Sequence, residues 1–276
     1  MPRSKKLARR AFGPEFETTT FETDAQIEAK LADRFQVLSD LAVAATIGEA
    51  RGLIISGPAG LGKSYTVEKV LEDYDPSGSV YVIVKGYVRP TAIIRLLHRY
   101  RHPGNVVVFD DADSVFFDDV SLNLLKAACD TTEKRIVSYM TENPMEDEDG
   151  GIIPKSFQFD GTVIFITNMD FDKEIDRGSK LAPHFTALIS RSHYMDLAMK
   201  TKRDYLVRIR QVIRDGLLTK NGCSKQEEAD VVAFIEDNVD SLRELSLRMA
   251  IKLACLRKSN PDRWERTARV TCCKNM

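Results

Sequence analysis

The sequence predicts an α/β fold in which a parallel sheet, covered by helices on both faces, is followed by a small all-helical domain. Between residues 52 and 168, short runs rich in β-branched residues alternate with segments of helical period. Such continuous apolar runs are typical of parallel strands that are buried on both faces. A glycine-rich turn, GPAGLGKS at residues 57–64, directly follows the first run. After about residue 200 the strand signals stop and helical patterns take over.

The hydrophobic period places each element along the chain. A helix is predicted over residues 24–50, with Asp24 as its N-cap, and another over residues 63–74. The remaining predicted elements are, in order, the strands GLIISG and GSVYVIVKG, the helix RPTAIIRLLHRYRH, the strand NVVVFDD, the helix VSLNLLKAACDTT, the strand GTVIFITN, and the helices KRDYLVRIRQVIRDGLL, SKQEEADVVAFIEDNV and SLRELSLRMAIKLACLRKS. Before the last strand, KRIVSYMTENPMEDEDGGIIPKSFQF has two short apolar arms around an acidic, glycine-rich tip, which predicts a hairpin or an excursion from the sheet.

Composition narrows the class of protein. The 276 residues are 43% hydrophobic and 29% charged, which is ordinary for a globular chain, and the net charge of -1 gives no general indication of nucleic-acid binding. No apolar run approaches the length of a membrane span, and the N-terminus lacks the apolar core of a secretory signal. We expect a cytoplasmic protein (in the host cytoplasm if the chain is viral) with reduced thiols. The cysteines are odd in number and lack zinc spacing: Cys129, Cys223, Cys255, Cys272 and Cys273.

The glycine-rich turn has the pattern of a phosphate-binding loop. Glycines allow the backbone to turn tightly enough to aim N–H groups at phosphate oxygens, and the helix that follows adds its positive end. Lys63 is placed to reach the β- and γ-phosphates, and the Ser64 hydroxyl to bind Mg²⁺. A plain glycine-rich connector is the alternative, which the order strand, turn, helix disfavours. The predicted nucleotide-binding residues are Gly57, Pro58, Ala59, Gly60, Leu61, Gly62, Lys63, Ser64 and Tyr65.

Polar residues at two strand ends complete the predicted site. Asp110 follows an apolar strand and is expected at the carboxyl edge of the sheet, where it can hold Mg²⁺ together with Ser64. Asp111 is expected to polarise the attacking water, and Asn168 to orient it. Asp113 is expected to be a solvated turn residue. The stretch TNMD lacks the lysine of a guanine-recognition motif, which excludes specificity for GTP.

Five motifs stand in the order, and at about the spacing, found in AAA+ ATPases. They are GPAGLGKS for Walker A, VVVFDD for Walker B, VIFITN for sensor 1, ALISRS for the arginine finger and LSLRMA for sensor 2. The chain therefore resembles an AAA+ P-loop ATPase over roughly residues 35–255, and compact chains of this kind are carried by tailed bacteriophages. The resemblance implies an Mg²⁺-dependent enzyme that hydrolyses ATP to ADP and phosphate as a homo-oligomeric ring or spiral.

The resemblance also implies roles for two arginines and a division into domains. Arg191 is expected to be the finger that reaches a neighbour's ATP, and Arg248 the sensor 2 arginine that touches the γ-phosphate. Walker B is Asp-Asp here, whereas many members have Asp-Glu; some replication initiators and loaders share the Asp-Asp form. The predicted parts are a flexible basic arm (1–24), an αβα nucleotide-binding core (25–199), and a helical lid domain with the C-terminal tail (200–276).

The biological role of the ATPase stays open between three hypotheses. The first is a DNA-associated ATPase, such as a loader or replication accessory, that acts on single-stranded or duplex DNA. Two basic clusters are candidates for the DNA contact, although such clusters are also common on solvated helices. They comprise Arg3, Lys5, Lys6, Arg9 and Arg10, and then Arg95, Arg99 and Arg101 with His98 and His102. Tyr87 is either a pore-loop residue that grips a polymer or a packed loop residue. The second hypothesis is a protein client of a MoxR-type chaperone, and the third is an ATP-dependent scaffold with little turnover.

Overall fold

The computed structural model describes residues 22–197 and 199–274, in which strands and helices alternate before a helical region. The elements are α1 (Asp24–Thr46), β1 (Gly52–Ser56), α2 (Lys63–Tyr74), β2 (Tyr81–Lys85), α3 (Pro90–Arg99), β3 (Val106–Asp110), α4 (Asp119–Ala128), β4 (Ile136–Ser138), β5 (Met145–Glu146), β6 (Ile152–Ile153), β7 (Ser156–Gln158), β8 (Thr162–Thr167), α5 (Phe171–Asp176), α6 (Ala182–Ile189), β9 (His193–Asp196), α7 (Lys202–Arg214), α8 (Leu217–Lys220), α9 (Lys225–Asp237), α10 (Leu247–Ser259) and α11 (Trp264–Cys272). This order confirms the predicted α/β fold class.

The main sheet is parallel, with strand order β2-β3-β8-β1-β9. Every residue of β1, β3 and β8 is buried, which agrees with their continuous apolar sequences. The four predicted strands are all present. The sequence analysis missed β9, because a four-residue strand with the mixed sequence HYMD carries no clear period.

The predicted hairpin before β8 is confirmed as a two-part antiparallel excursion. β4 pairs with β7 at its base, and β5 pairs with β6 near its tip. The Asp147 carboxylate closes the tip by accepting hydrogen bonds from the backbone N–H groups of Asp149 and Gly151, at 3.1 and 2.6 Å. The acidic tip therefore has a defined shape.

Several helix boundaries differ from prediction. α1 ends at Thr46, where the chain turns through Gly48 at a φ of 81°. α10 begins later than predicted because Ser246, a buried N-cap, accepts a hydrogen bond from the Met249 N–H at 3.1 Å. The sequence analysis did not predict α5, α6 or α11. Across the described residues, no helix combines the length and apolar character needed to cross a bilayer.

Internal packing divides the described chain into two units. One comprises residues 35–57 and 63–197, and its core contains Val107, Phe165 and Phe185. The other comprises residues 22–34, 58–62 and 199–274, with a core that includes Phe234 packed against Trp264 at a centroid distance of 5.1 Å. The helices predicted after residue 200 belong to the second unit, as do residues 58–62 of the glycine-rich turn. The predicted boundaries at residues 24 and 199 stay predictions.

Candidate nucleotide-binding site

The glycine-rich turn connects the carboxyl end of β1 to the amino end of α2. Gly57 has a φ of 141°, and a Cβ there would stand 3.1 Å from the carbonyl carbon of Leu197. Gly60 has a φ of 73°, and its Cβ would stand 2.9 Å from the Cβ of Ser246. Both positions thus require glycine for backbone conformation and for space. Among the remaining predicted loop residues, Leu61 is buried, and Ala59 and Tyr65 are exposed.

Lys63 is the first residue of α2, and only 5% of it is exposed. Its ammonium donates hydrogen bonds to the carbonyl oxygen of Gly57 and to Asn168 Oδ1, the latter at 3.0 Å. A buried ammonium is stable only when oxygen acceptors surround it. The end of the turn therefore carries a buried positive charge held by a backbone carbonyl and an amide oxygen, and such a charge suits a phosphate.

Ser64 and Asp110 form a hydroxyl–carboxylate pair at the carboxyl edge of the sheet. Ser64 Oγ donates to Asp110 Oδ1 at 2.8 Å, and Asp110 is buried at the end of β3. Oxygen ligands of this kind suit Mg²⁺, which commonly completes its shell with substrate phosphates and water. Within the described residues, no cluster of three or more His, Cys, Asp or Glu could hold a metal. A cation held by Ser64 and Asp110 would take its remaining oxygen ligands from water or from a bound phosphate.

Asp111 is held in an uncommon backbone conformation. Its φ is 51°, the one positive value for a non-glycine residue in the described part of the chain. Its N–H donates to the carbonyl oxygen of Ile166 at 2.9 Å, and its Oδ1 accepts from Asn168 Nδ2 at 2.9 Å. Aspartate tolerates this region better than most residues. The turn brings the Asp111 carboxylate beside Asn168, which also contacts Lys63.

Asp113 is not the solvated turn residue that the sequence suggested. It begins a 3₁₀ turn, Asp113–Phe116, is half-buried, and accepts a hydrogen bond from Thr167 Oγ1 at 2.6 Å. Burial raises the pKa of this carboxyl above its ordinary value, the hydrogen bond opposes that shift, and the nearby Asp111 carboxylate adds to it. Asp113 thus links β8 to the segment that follows β3.

Arg248 lies in the first turn of α10 and is exposed. Its Cγ is 3.6 Å from the position that a Cβ on Gly60 would take. The N–H of the preceding residue, Leu247, donates to the carbonyl oxygen of Gly60 at 2.8 Å. Within the second unit, the start of α10 is therefore held to Gly60, and Arg248 lies next to that residue.

Arg191 lies at the opposite end of the strands from Asp110 and Asn168. It follows α6 and precedes β9, so it lies at the amino edge of the sheet. The five residues of β1 separate the two edges by about 13 Å. Arg191 is half-buried; its NH1 donates to the carbonyl oxygen of Ala187 at 2.8 Å, and its Nε is 3.6 Å from Asp130 Oδ1. The structure does not bring it together with Lys63 and Asp110.

The basic residues of α3 contact the acidic tip of the hairpin. Arg95 Nε donates to the carbonyl oxygen of Glu146 at 2.9 Å, and Arg99 forms an ion pair with Glu148. Arg101 NH1 donates to the carbonyl oxygen of His98 at 2.5 Å. The second basic cluster is thus partly engaged within the chain. The first cluster, at residues 3–10, lies outside the described residues.

The surroundings of two further residues, Tyr87 and Lys85, are visible only in the structure. Tyr87 is 77% exposed, so the interpretation as a packed loop residue is wrong. Lys85, the last residue of β2, stands in register with Asp110, and its Nζ is 3.2 Å from Asp110 Oδ2. The sequence analysis missed Lys85. Its position at the end of β2, directly before Gly86, was the only signal.

The α/β fold is the one that the resemblance predicted, and a solved structure shares it. The structure of NtrX from Brucella abortus in complex with ATP matches 91% of the chain at a TM-score of 0.52 and 13% sequence identity. The chain spans 55% of NtrX, so this likeness shows a shared fold.

A relative of higher sequence identity comes from Enterobacteria phage T4. The chain is 38% identical over 249 residues to an uncharacterized 36.7 kDa protein in the nrdC-mobD intergenic region of that phage. The alignment covers 90% of the chain and 76% of the relative. The chain therefore belongs to the family of this phage protein. No family model matches it.

Proposed function

We propose that the chain binds Mg²⁺–ATP in the turn at residues 57–65 and hydrolyses it as a homo-oligomer. One observation carries the proposal: two hydrogen-bonded groups lie at the same edge of the sheet. The first joins Lys63 to Asn168 and Asn168 to Asp111. The second joins Ser64 to Asp110. A buried ammonium, a hydroxyl–carboxylate pair and a carboxylate beside an amide are the groups that phosphoryl transfer to water requires.

Each residue has a distinct role in this proposal. Lys63 and the loop N–H groups bind the β- and γ-phosphates. Ser64 and Asp110 would hold Mg²⁺, and the ion would supply positive charge to neutralise the phosphates. Asp111 accepts the proton of the attacking water while the Asn168 amide orients that water. The place of Arg248 beside Gly60 supports a contact with the bound phosphates.

Arg191 is proposed to act on the nucleotide of a neighbouring subunit. Its position at the amino edge, about 13 Å from the carboxyl edge of the same sheet, supports action in trans. Its contacts with Ala187 and Asp130 hold it at that edge. A ring or spiral is the assembly that would bring the amino edge of one subunit to the carboxyl edge of the next.

For the biological role, we propose a DNA-associated accessory ATPase, such as a replication loader. The exposed Tyr87 and the arginines of α3 support contact with a polymer. A protein-remodelling chaperone of the MoxR kind is the second candidate, which the hairpin inserted before β8 favours. Stimulation of ATP hydrolysis by single-stranded DNA supports the first candidate; stimulation by a protein client supports the second. Slow turnover that neither changes would indicate an ATP-dependent scaffold.

The test of nucleotide binding is Lys63→Ala. Removal of the ammonium takes a charge-assisted hydrogen bond from each of two phosphates, so the affinity for Mg²⁺–ATP should fall by about a hundredfold or more. Titration calorimetry measures this change. Lys69→Ala is the matched control, since Lys69 is an exposed lysine on the same helix. Equal affinities of wild type and Lys63→Ala would overturn the assignment of the turn.

A further inference from the structure

Lys85 lies where two carboxylates converge near the Ser64–Asp110 pair. Its Nζ is 3.2 Å from Asp110 Oδ2 and 2.7 Å from Glu68 Oε1. Asp110 thus has a different partner on each oxygen, because Ser64 Oγ donates to Oδ1. Glu68 stands four residues after Ser64 on α2, on the same face of the helix. The carboxylates of α2 and β3 therefore share one ammonium, which comes from β2.

The ammonium remains charged in this setting. Two carboxylate oxygens lie within 3.2 Å of the ammonium, and opposite charges at that distance favour the charged form of lysine. Two carboxylates and one ammonium carry a formal charge of about minus one, against minus two without the lysine. An ammonium and a divalent cation within a few ångströms of each other repel strongly.

We propose that the Lys85 ammonium takes the place of a metal ion at Asp110 when no nucleotide is bound. It neutralises Asp110 and Glu68 and opposes the binding of Mg²⁺ until a bound nucleotide supplies phosphate oxygens. The inference rests on the proposed function, because it takes Ser64 and Asp110 as the metal-binding pair. It adds two residues to that site, Lys85 and Glu68. It also makes metal binding depend on nucleotide, so that the two arrive together.

The structure leaves Lys85 room to move away from Asp110. The next residue, Gly86, has a φ of 91°, and among the described residues no atom other than those of its chain neighbours lies within 4 Å of the place where its Cβ would be. Tyr87 beyond it is exposed. The side chain of Lys85 is itself 59% exposed, so it can exchange Asp110 for water at low cost while it keeps Glu68.

The experiment measures binding of Mn²⁺ by electron paramagnetic resonance, in which free Mn²⁺ gives the signal. Wild type is compared with Lys85→Gln, first without nucleotide and then with ADP. Without nucleotide, Lys85→Gln should bind Mn²⁺ about tenfold or more tightly than wild type. Lys85→Arg should restore the weak binding of wild type, because it keeps the charge. Lys69→Gln, which removes an exposed charge from α2, should leave binding unchanged.

A second variant guards against loss of structure in the first. Lys85→Gln combined with Glu68→Gln returns the formal charge to that of wild type, so Mn²⁺ binding without nucleotide should weaken again. Equal nucleotide-free affinities of wild type and Lys85→Gln, in a protein that binds Mn²⁺ with ADP, would overturn this inference and leave the proposed function intact. Failure of wild type to bind Mn²⁺ even with ADP would instead overturn the proposed metal site.

Discussion

Asp111 shows how a single backbone conformation shapes the site. Its positive φ turns the chain directly after β3, so that Asp110 points towards Ser64 while Asp111 meets Asn168. Two consecutive carboxylates thereby receive different partners. The hydrogen bond from the Asp111 N–H to Ile166 holds the turn in place. In the Asp-Asp form of Walker B, the two carboxylates can therefore take different roles.

At the residue scale, we predict that Asp111→Asn keeps ATP binding and loses turnover. An amide cannot accept the proton of the attacking water, so the rate should fall by about a hundredfold or more. Asparagine also tolerates positive φ, so the backbone turn should survive the change. A steady-state ATPase assay checks the rate, and titration calorimetry checks binding. Turnover of Asp111→Asn at the wild-type rate would move the base elsewhere, with Asp110 and Asp113 next to test.

The variant Asp111→Glu tests whether the length of the side chain, rather than its carboxylate, limits turnover. Glutamate keeps the carboxylate and extends it by one methylene, so turnover should be retained or raised if reach limits the rate. Glutamate is less suited than aspartate to a φ of 51°, so the melting temperature should fall slightly. Loss of turnover with an unchanged melting temperature would show that the aspartate length is required.

At the scale of elements, α3 and the hairpin tip are linked by opposite charges. The Arg99–Glu148 pair is exposed, with side-chain exposures of 60% and 71%, so it contributes little stability and a polyanion can displace it. A nucleic acid that bound these arginines would therefore have to displace the tip.

We predict that Glu148→Gln increases affinity for single-stranded DNA by about two- to fivefold, because it removes this competitor. Charge reversal at Arg95, Arg99 and Arg101 should weaken binding on any sequence, and binding should fall steeply with salt. Fluorescence anisotropy titrations at two salt concentrations measure these effects. Glu133→Gln is the matched control, since Glu133 is exposed and removed from the tip. Absent or salt-insensitive binding would favour the chaperone candidate.

At the scale of the whole molecule, the two edges of the sheet carry different functional groups. The carboxyl edge holds Lys63, Asp110 and Asn168, whereas the amino edge holds Arg191. A single subunit therefore has no arginine finger for its own nucleotide if Arg191 is the finger. Catalysis would then require contact between subunits.

We predict that Arg191→Ala binds ATP normally and hydrolyses it about a hundredfold or more slowly, because the charge on the transferred phosphoryl group lacks a guanidinium. A mixing experiment tests action in trans. Arg191→Ala subunits keep Asp111, and Asp111→Asn subunits keep Arg191, so mixed assemblies contain some complete interfaces. ATPase activity should reappear when the two inactive variants are mixed under conditions of subunit exchange. Mixed assemblies without recovered activity would show that Arg191 does not act in trans.

The sequence by itself determined the parallel sheet and the residues at its carboxyl edge. Each buried strand is a run of apolar residues, and the polar residue that ends the run must lie at the sheet edge. This local rule was sufficient to place Asp110 and Asn168 at the carboxyl edge. The spacing of GPAGLGKS was sufficient to place Lys63 and Ser64 at the start of the helix that follows the turn. The hairpin before β8 followed from its apolar arms and glycine-rich tip.

Only the tertiary structure decided which of these residues meet. Strand order β2-β3-β8-β1-β9 places Lys85 beside Asp110, and the same order makes Thr167 the partner of Asp113. Register between strands depends on packing of the whole sheet, and no local pattern records it. For the same reason β9 was missed: four residues of mixed polarity become a strand because β1 offers them a free edge. The sequence specifies which groups the site contains, and long-range pairing specifies their partners.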